Sequence, residues 1–434
     1  MVAGKEAEVR EYLKRASPQP AVDRRAVEET VRGILEHVRR EGDAAVREYS
    51  RRYDRWDPPR FRVMPDEVER ARQALPPALI DDIAFTAHQV REFARCQLDT
   101  LRPLEVEMRP GVVLGHRHIP VASVGCYVPG GRYPLIASAL MSIATPKVAG
   151  VERVVACAPP RGEGIYPATL VAMAVAGADE IYCLGGVQAL AAMAYGTAEI
   201  SPVDMIVGPG NQYVVEAKRQ LFGVVGVDLL AGPTEILVIA DHTADPHVVA
   251  ADLLGQAEHD PASPAVLVTT SRELGTRVLA EIAQLLPTLP TAEVIGISWR
   301  DRGEVVVVDS DDEAAAVADE YAPEHLEVQT RNPDWYLQRL RNYGTLFLGE
   351  ESTVVYSDKA VGTNHILPTG RAARFTGGLW VGKFLKTVTY QRLTREGSLE
   401  IARRAAAIAA AEGMEAHVYT ARLRLRRYHG HVPA

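Results

Sequence analysis

The stretch Tyr321-Ala322-Pro323-Glu324-His325 sets a carboxylate beside an imidazole directly after a proline. Pro323 disfavours helix at Ala322, so the helical run Asp311 to Glu320 should end there. Glu324 and His325 then fall on a helix-to-strand turn ahead of Leu326-Glu327-Val328. The ordinary pKa values of the two side chains straddle mildly acidic pH, so such a pair can divide acid–base work. Taken alone the dipeptide reads more simply as solvated surface, and its weight comes from its company. In Gln256-Ala257-Glu258-His259, residues three apart share a helix face, so Gln256 and His259 converge while Glu258 points elsewhere. Asp358 opens a polar, glycine-bearing stretch that ends at His365 and reads as a loop, and His417 follows Gly413. The imidazoles of His259 and His417, the Asp358 carboxylate and the Gln256 amide form a hard-to-borderline donor set. Such a set suits Zn²⁺ or Mn²⁺ in a catalytic site with an open position.

The elements that must hold these groups are legible as periodic patterns. Residues 5–50 read as two amphipathic helices, with Val27, Val31, Ile34, Leu35 and Val38 at helical spacing. Residues 65–100 read as two more, with Ile80, Ile83, Val90 and Phe93 as core. From about residue 105 apolar strands alternate with helices: Val154 to Cys157, Ile181 to Leu184, Met205 to Val207, Ile236 to Ala240, Ala265 to Val268, Glu304 to Val308 and Thr345 to Leu348. That alternation predicts parallel sheets with helices on both faces. Asp245 and Pro246 suit the cap and first position of the helix that ends at His259. Glycine turns follow three strands, at Pro129-Gly130-Gly131, Gly185-Gly186-Val187-Gln188 and Gly208-Pro209-Gly210-Asn211. Ligands of open α/β sheets bind at such carboxyl ends, although none of the three is a G-x-G-x-x-G fingerprint and each could be a bare turn. Gly377 to Phe384 nearly matches a phosphate-binding loop, but Phe384 stands where a Ser or Thr must hold Mg²⁺. Ser398 to Glu412 reads as an alanine-rich helix stopped at Gly413, and the arginines between 422 and 427 as a solvated or partner-facing strand.

Composition sets the outer bounds. The 434 residues are 47% hydrophobic and 24% charged, enough for two or three domains with real cores. A net charge of −8 argues against a general nucleic-acid binder. Cys96, Cys126, Cys157 and Cys183 lack C-x-x-C spacing, which suggests free thiols in a reducing cytoplasm. The charged first fifteen residues do not read as a signal peptide, and no apolar run reads as a membrane span.

The chain resembles the histidinol dehydrogenase family over essentially its whole length. The resemblance rests on Gly125 to Gly131, Gly208 to Asn211, Ala231 to Glu235, Gln256 to His259, Pro323 to Leu326, Gly362 to His365 and Glu412 to His417, in the family's order. It implies a zinc- and NAD-dependent enzyme that oxidises a primary alcohol through an aldehyde to a carboxylate. It also implies a homodimer of α/β subunits with two Rossmann-like parallel-sheet domains, N-terminal helices and an exchanged helical tail. The implied division is 20–125 with 236–376 for the metal side, 126–235 for the NAD side, and 1–19 with 377–434 as helical dimerisation segments. By the same resemblance zinc is held by Gln256, His259, Asp358 and a partner chain's His417. His325 and Glu324 are catalytic; Tyr127, Gln188 and Asn211 contact NAD; Thr234, His325, His365 and Glu412 contact substrate. Gly131 to Pro134, Asp358-Lys359 and Arg371 to Leu379 look more like the sulfopropanediol dehydrogenase branch than the histidinol-oxidising one. Arg132, Lys359, Arg371 and Arg374 bring cations that an anionic sulfonate would favour and a cationic histidinol would not. The substrate expectation is therefore 2,3-dihydroxypropane-1-sulfonate, with L-histidinol as the alternative. A metal-binding regulatory protein that keeps the fold without turnover is a third reading, and the intact Glu324-His325 pair speaks against it.

Overall fold

The computed structural model describes residues 10–17 and 24–428. The chain divides into two compact units, Met1–Arg95 with Ala122–Val381, and Cys96–Val121 with Gly382–Ala434. The first unit is an α/β structure with two largely parallel sheets, as the alternating pattern requires.

One sheet has five parallel strands: Ser123–Tyr127, Arg153–Ala158, Glu180–Cys183, Met205–Val207 and Gly226–Val227. Numbered along the chain, their spatial order is 3-2-1-4-5, with the switch point between Ser123–Tyr127 and Met205–Val207. The other sheet repeats that order with Ile236–Ala240, Ala265–Thr269, Gly303–Val307, His325–Gln329 and Thr345–Leu348. Its central strands are buried on both faces, which is why they read as continuous apolar runs instead of alternating.

The N-terminal helices Arg24–Glu41 and Asp43–Tyr49 pack Val31, Ile34, Leu35, Val38 and Val46 into the core of the five-stranded sheet. The reading of helix from residue 5 onward fails at Glu11–Lys14, which is a strand pairing antiparallel with Gly303–Val307. Tyr12 and Leu13 alternate sides there, packing against opposite faces of the six-stranded sheet. Helices Pro65–Gln73 and Pro77–Asp99 form as expected, and Ile83 and Val90 are buried. Phe93 is 43% exposed, a correction to the expected core.

The second unit carries a three-stranded antiparallel sheet, Leu104–Arg109, Val112–Pro120 and Leu385–Leu393, and two helices packed on each other, Arg395–Ala411 and Glu415–Tyr428. The stretch 377–434 is therefore not all helical. Nor is the arginine-rich segment a strand: Arg422, Arg424, Arg426 and Arg427 lie on the last helix. Gly413 ends the preceding helix with φ of 72°, as its position suggests.

Candidate active site

Helix Asp311–Tyr321 ends where Pro323 dictates, and Ala322 takes a left-handed φ of 48°. That turn delivers Glu324 to the amino end of the strand His325–Gln329, between Ile236–Ala240 and Thr345–Leu348. Both side chains are buried, at 5% and 2% exposure. Glu324 Oε2 accepts hydrogen bonds from Thr234 Oγ1 at 2.5 Å and from the Glu235 amide at 3.0 Å. Burial nevertheless dominates and holds the carboxyl well above the ordinary carboxylate range, favouring its protonated form.

His325 Nδ1 lies 3.1 Å from the Glu235 carbonyl oxygen, which can only accept. The proton therefore sits on Nδ1 and the lone pair on Nε2. That Nε2 is buried and has no hydrogen-bond partner among the described residues, and it lies 3.7 Å from Asp358 Oδ1, which is likewise unpartnered among them. Burial lowers the imidazole pKa, so His325 is neutral and its Nε2 can take a proton.

Asp358 is not in a loop, as its neighbours suggested, but in the last turn of the short helix Val354–Lys359. Six residues cannot hold a helix unaided. This one is tied at its start by Glu327 Oε1, which accepts from the Val354 amide at 3.0 Å, and by Asp252 Oδ1, which accepts from Thr353 Oγ1 at 2.9 Å. Burial pulls the Asp358 carboxyl up, but His365, His325, Lys359 and His259 around it hold it below the ordinary range. His259 Nε2 lies 3.7 Å from Asp358 Oδ2, and Lys359 Nζ 3.6 Å.

Asp245 caps helix Pro246–Ala257 through the His247 amide, as read from the sequence. Gln256 stands in its last turn, donating from Nε2 to Thr234 Oγ1 and leaving its Oε1 to accept. Glu258 points away and accepts from Thr291, again as the spacing required. Among the described residues no three His, Cys, Asp or Glu side chains gather as a ready metal site. The donors of the first unit are His259, Asp358 and the Gln256 amide, with the orphaned Asp358 Oδ1 and His325 Nε2 beside them. A buried carboxylate oxygen without a partner is costly, and a borderline dication fits that donor set.

These groups line one end of a cavity of about 980 Å³. Its other walls are the three glycine turns at the carboxyl ends of the five-stranded sheet, through Pro129, Gly130, Gly131, Gly186, Gln188 and Asn211. Tyr127 is buried, its phenol pushed up to about 12 by desolvation, and its hydroxyl accepts from the Gly186 amide at 3.2 Å. Gln188 is 1% exposed and its Oε1 has no partner among the described residues. Asn211 caps helix Gln212–Leu221 with Oδ1, keeping its amide NH₂ for other contacts. His365 lines the cavity with both ring nitrogens engaged, by Ser138 Oγ at 2.7 Å and the Asp358 carbonyl at 3.1 Å, and burial drops its pKa to about 4.

Tyr127, Gln188, Asn211, Thr234, His259, Glu324, His325, Asp358 and His365 thus share one cavity, and Gln256 stands behind Thr234. Glu412 and His417 belong to the second unit, Glu412 at the end of one helix and His417 on the next, both exposed. Of the four cations singled out for an anionic substrate, Arg132 and Lys359 line the cavity. Arg371 and Arg374 do not: both are exposed, and Arg374 Nε donates to the Arg371 carbonyl.

Sequence reasoning missed the groups that support these. Lys218 and Asp228 form a fully buried ion pair that grips Gly208 on both sides, Lys218 Nζ donating to its carbonyl at 2.8 Å and Asp228 Oδ2 accepting from its amide at 2.9 Å. Only their coincidence in space reveals the role.

The family model for histidinol dehydrogenase matches residues 17–425. The chain belongs to the histidinol dehydrogenase family. It is 55% identical over 402 residues to the histidinol dehydrogenase homolog of Shouchella clausii, covering 93% of this chain and 95% of that one. It is 49% identical over 421 residues to the sulfopropanediol 3-dehydrogenase of Ruegeria pomeroyi, covering 96% and 97%. The crystal structure of the family member from Elizabethkingia anophelis, a histidinol dehydrogenase, superimposes with a TM-score of 0.90 at 34% identity, covering 96% of this chain and 95% of that one.

Proposed function

We propose that this family member is a zinc- and NAD-dependent dehydrogenase that oxidises 2,3-dihydroxypropane-1-sulfonate to sulfolactate, working as a homodimer in the cytoplasm. The reading rests on one observation above all: a neutral buried imidazole with a free Nε2 lone pair beside a buried, proton-holding carboxyl, both facing one cavity. Atom balance sets the tasks. A primary alcohol, two NAD⁺ and one water give a carboxylate, two NADH and three protons. His325 Nε2 takes the proton of the alcohol hydroxyl, and later that of the aldehyde hydrate. Glu324, once it has released its own proton to solvent, takes one from the water that adds to the aldehyde, and Thr234 and the Glu235 amide keep its Oε2 aimed throughout. Zinc, where Gln256, His259, Asp358 and a second copy's His417 hold it, would supply the positive charge that polarises the substrate oxygen. Tyr127, Gln188 and Asn211 orient NAD, the hydride acceptor.

Arg132 and Lys359 favour an anionic head group over a cationic one. The relative named sulfopropanediol 3-dehydrogenase supports the same choice at 49% identity. L-histidinol is the second reading, favoured by the 0.90 TM-score to a histidinol dehydrogenase. The deciding measurement is NADH formed per alcohol consumed by zinc-loaded protein, with both alcohols run in parallel. Two NADH from the sulfonate with histidinol inert is the expected result; the reverse would make Arg132 and Lys359 incidental and place the chain with the histidinol enzymes.

A further inference from the structure

A doubly wound sheet that binds a dinucleotide usually carries an acidic residue at the end of its second strand, where it takes the ribose hydroxyls. Here that strand runs out into Ala158-Pro159-Pro160-Arg161, with no carboxylate. A carboxylate reaches the cavity from elsewhere in the chain. The π-helical turn Ser50–Asp54 ends in Asp54, and Arg55 leaves it at a left-handed φ of 53°. The segment is pinned to the edge strand Glu180–Cys183: Trp56 Nε1 donates to the Cys183 carbonyl at 3.1 Å, the Cys183 amide to the Phe61 carbonyl at 2.8 Å. Asp54 is thereby held beside the turn that opens helix Gly186–Tyr195, where its Oδ2 accepts from Gln188 Nε2 at 3.0 Å. Both residues line the cavity. π-turns are rare and gather at functional sites.

Two features mark the pair as awaiting a donor. Gln188 Oε1 is buried without a partner among the described residues. Asp54 forms no ion pair among the described residues, and burial, its largest influence, raises its pKa to about 6 against the single hydrogen bond from Gln188. Neighbouring hydroxyls would satisfy both oxygens at once, whereas a phosphate there would meet a carboxylate. Among the described residues the Arg and Lys side chains that line this cavity are Arg132 and Lys359, and Lys359 already faces Asp358. Arg52, two residues earlier in the chain, stacks over the Tyr53 ring and lines a shallower neighbouring cavity with Arg40.

We propose that Asp54, braced by Gln188, receives the adenosine ribose hydroxyls of the dinucleotide and sets the preference for NAD over NADP. This rests on the NAD reading above. The placement agrees with the sheet, since Asp54 is tied to the third strand and so lies on the side away from the fourth and fifth.

Equilibrium binding tests it without turnover. NADH, NADPH, AMP and adenosine 2′,5′-bisphosphate would be titrated into wild type, Asp54→Asn and Asp54→Ala, each checked for an unchanged melting temperature. Wild type should bind NADH at least about 30-fold tighter than NADPH, and AMP tighter than the bisphosphate, the discrimination expected when a site binds a hydroxyl and repels a charge. Both variants should narrow each ratio to within about 3-fold, mostly by weakening the unphosphorylated ligand. Equal binding of NADPH by wild type, or a ratio unmoved in both variants while NADH still binds, overturns the role of Asp54 and leaves NAD use standing. No binding of either dinucleotide to wild type overturns the NAD reading itself.

Discussion

The two parallel sheets of the first unit share the strand order 3-2-1-4-5, yet they present opposite ends to the cavity. The five-stranded sheet works as its topology suggests, with glycine turns at the carboxyl ends and a switch point beside Tyr127 and Gly208. The six-stranded sheet offers its amino ends, where Thr234, Glu235, Glu324 and His325 cluster. Its own switch point at the carboxyl end is closed by Asp241, whose carboxylate accepts from the Thr243 amide at 2.8 Å and the Arg331 amide at 2.9 Å, with Arg331 reaching His242. Strand order therefore marks where a crevice can open, and side chains decide which crevice is used.

That contrast can be broken in steps. The largest effect belongs to the amino-end chemistry. His325→Asn should lower kcat for both oxidations by about 10²- to 10⁴-fold. Glu324→Gln should stop the aldehyde step while alcohol oxidation survives in part. Stoichiometry with a trapped aldehyde reads this as one NADH in place of two, and two NADH at an unchanged rate would remove Glu324 from the water step.

Next comes the support of the carboxyl-end turn. Lys218→Met strands the Asp228 charge in the core and should cost about 3–5 kcal/mol in a chemical denaturation series. A double change to Met and Leu should recover most of that stability but not NAD affinity, because Gly208 stays ungripped. Full recovery of affinity would show that the pair is only structural.

Third is a pH signature at the amino end. Burial lifts Glu235 from 4.5 to about 7 against the amide bonds it accepts. A raised folded-state value means that the native form binds the extra proton, so this contribution is fully present below pH 4.5 and is lost as pH climbs through 7. Glu235→Gln should flatten the fall in unfolding free energy between pH 5 and 8 by on the order of 3 kcal/mol. Identical slopes for the two proteins would contradict the raised value. The smallest effect is expected at the closed switch point, where Asp241→Ala should cost about 1 kcal/mol of stability and leave kcat and KM untouched. A change in KM there would mean that the six-stranded sheet uses both ends.

Much of this arrangement was legible as pattern. The inner strands of both sheets, the Asp245 cap, the break at Pro323 and the divergence of Glu258 from Gln256 and His259 all follow from local rules. What escaped is held by tertiary contacts. Val354–Lys359 forms because Glu327 and Asp252, far away in sequence, hold its first turn. Leu104–Arg109 is exposed along its whole length and Leu385–Leu393 nearly so, so neither shows the alternation of a half-buried strand. Asp54 and Gln188 are 134 residues apart, and nothing in either neighbourhood announces the other.

The strand Glu11–Lys14 has a consequence for how the molecule is made. Its pairing partner is Gly303–Val307, so this strand stays unpaired until that segment leaves the ribosome. At about 5–20 residues per second the wait is roughly 15–60 s. During vectorial synthesis the growing chain holds a free β-strand at one end and an unfinished sheet at the other, a combination prone to pairing with a neighbouring nascent chain. The charges at Glu11 and Lys14 interrupt Tyr12 and Leu13 and make that mispairing less favourable.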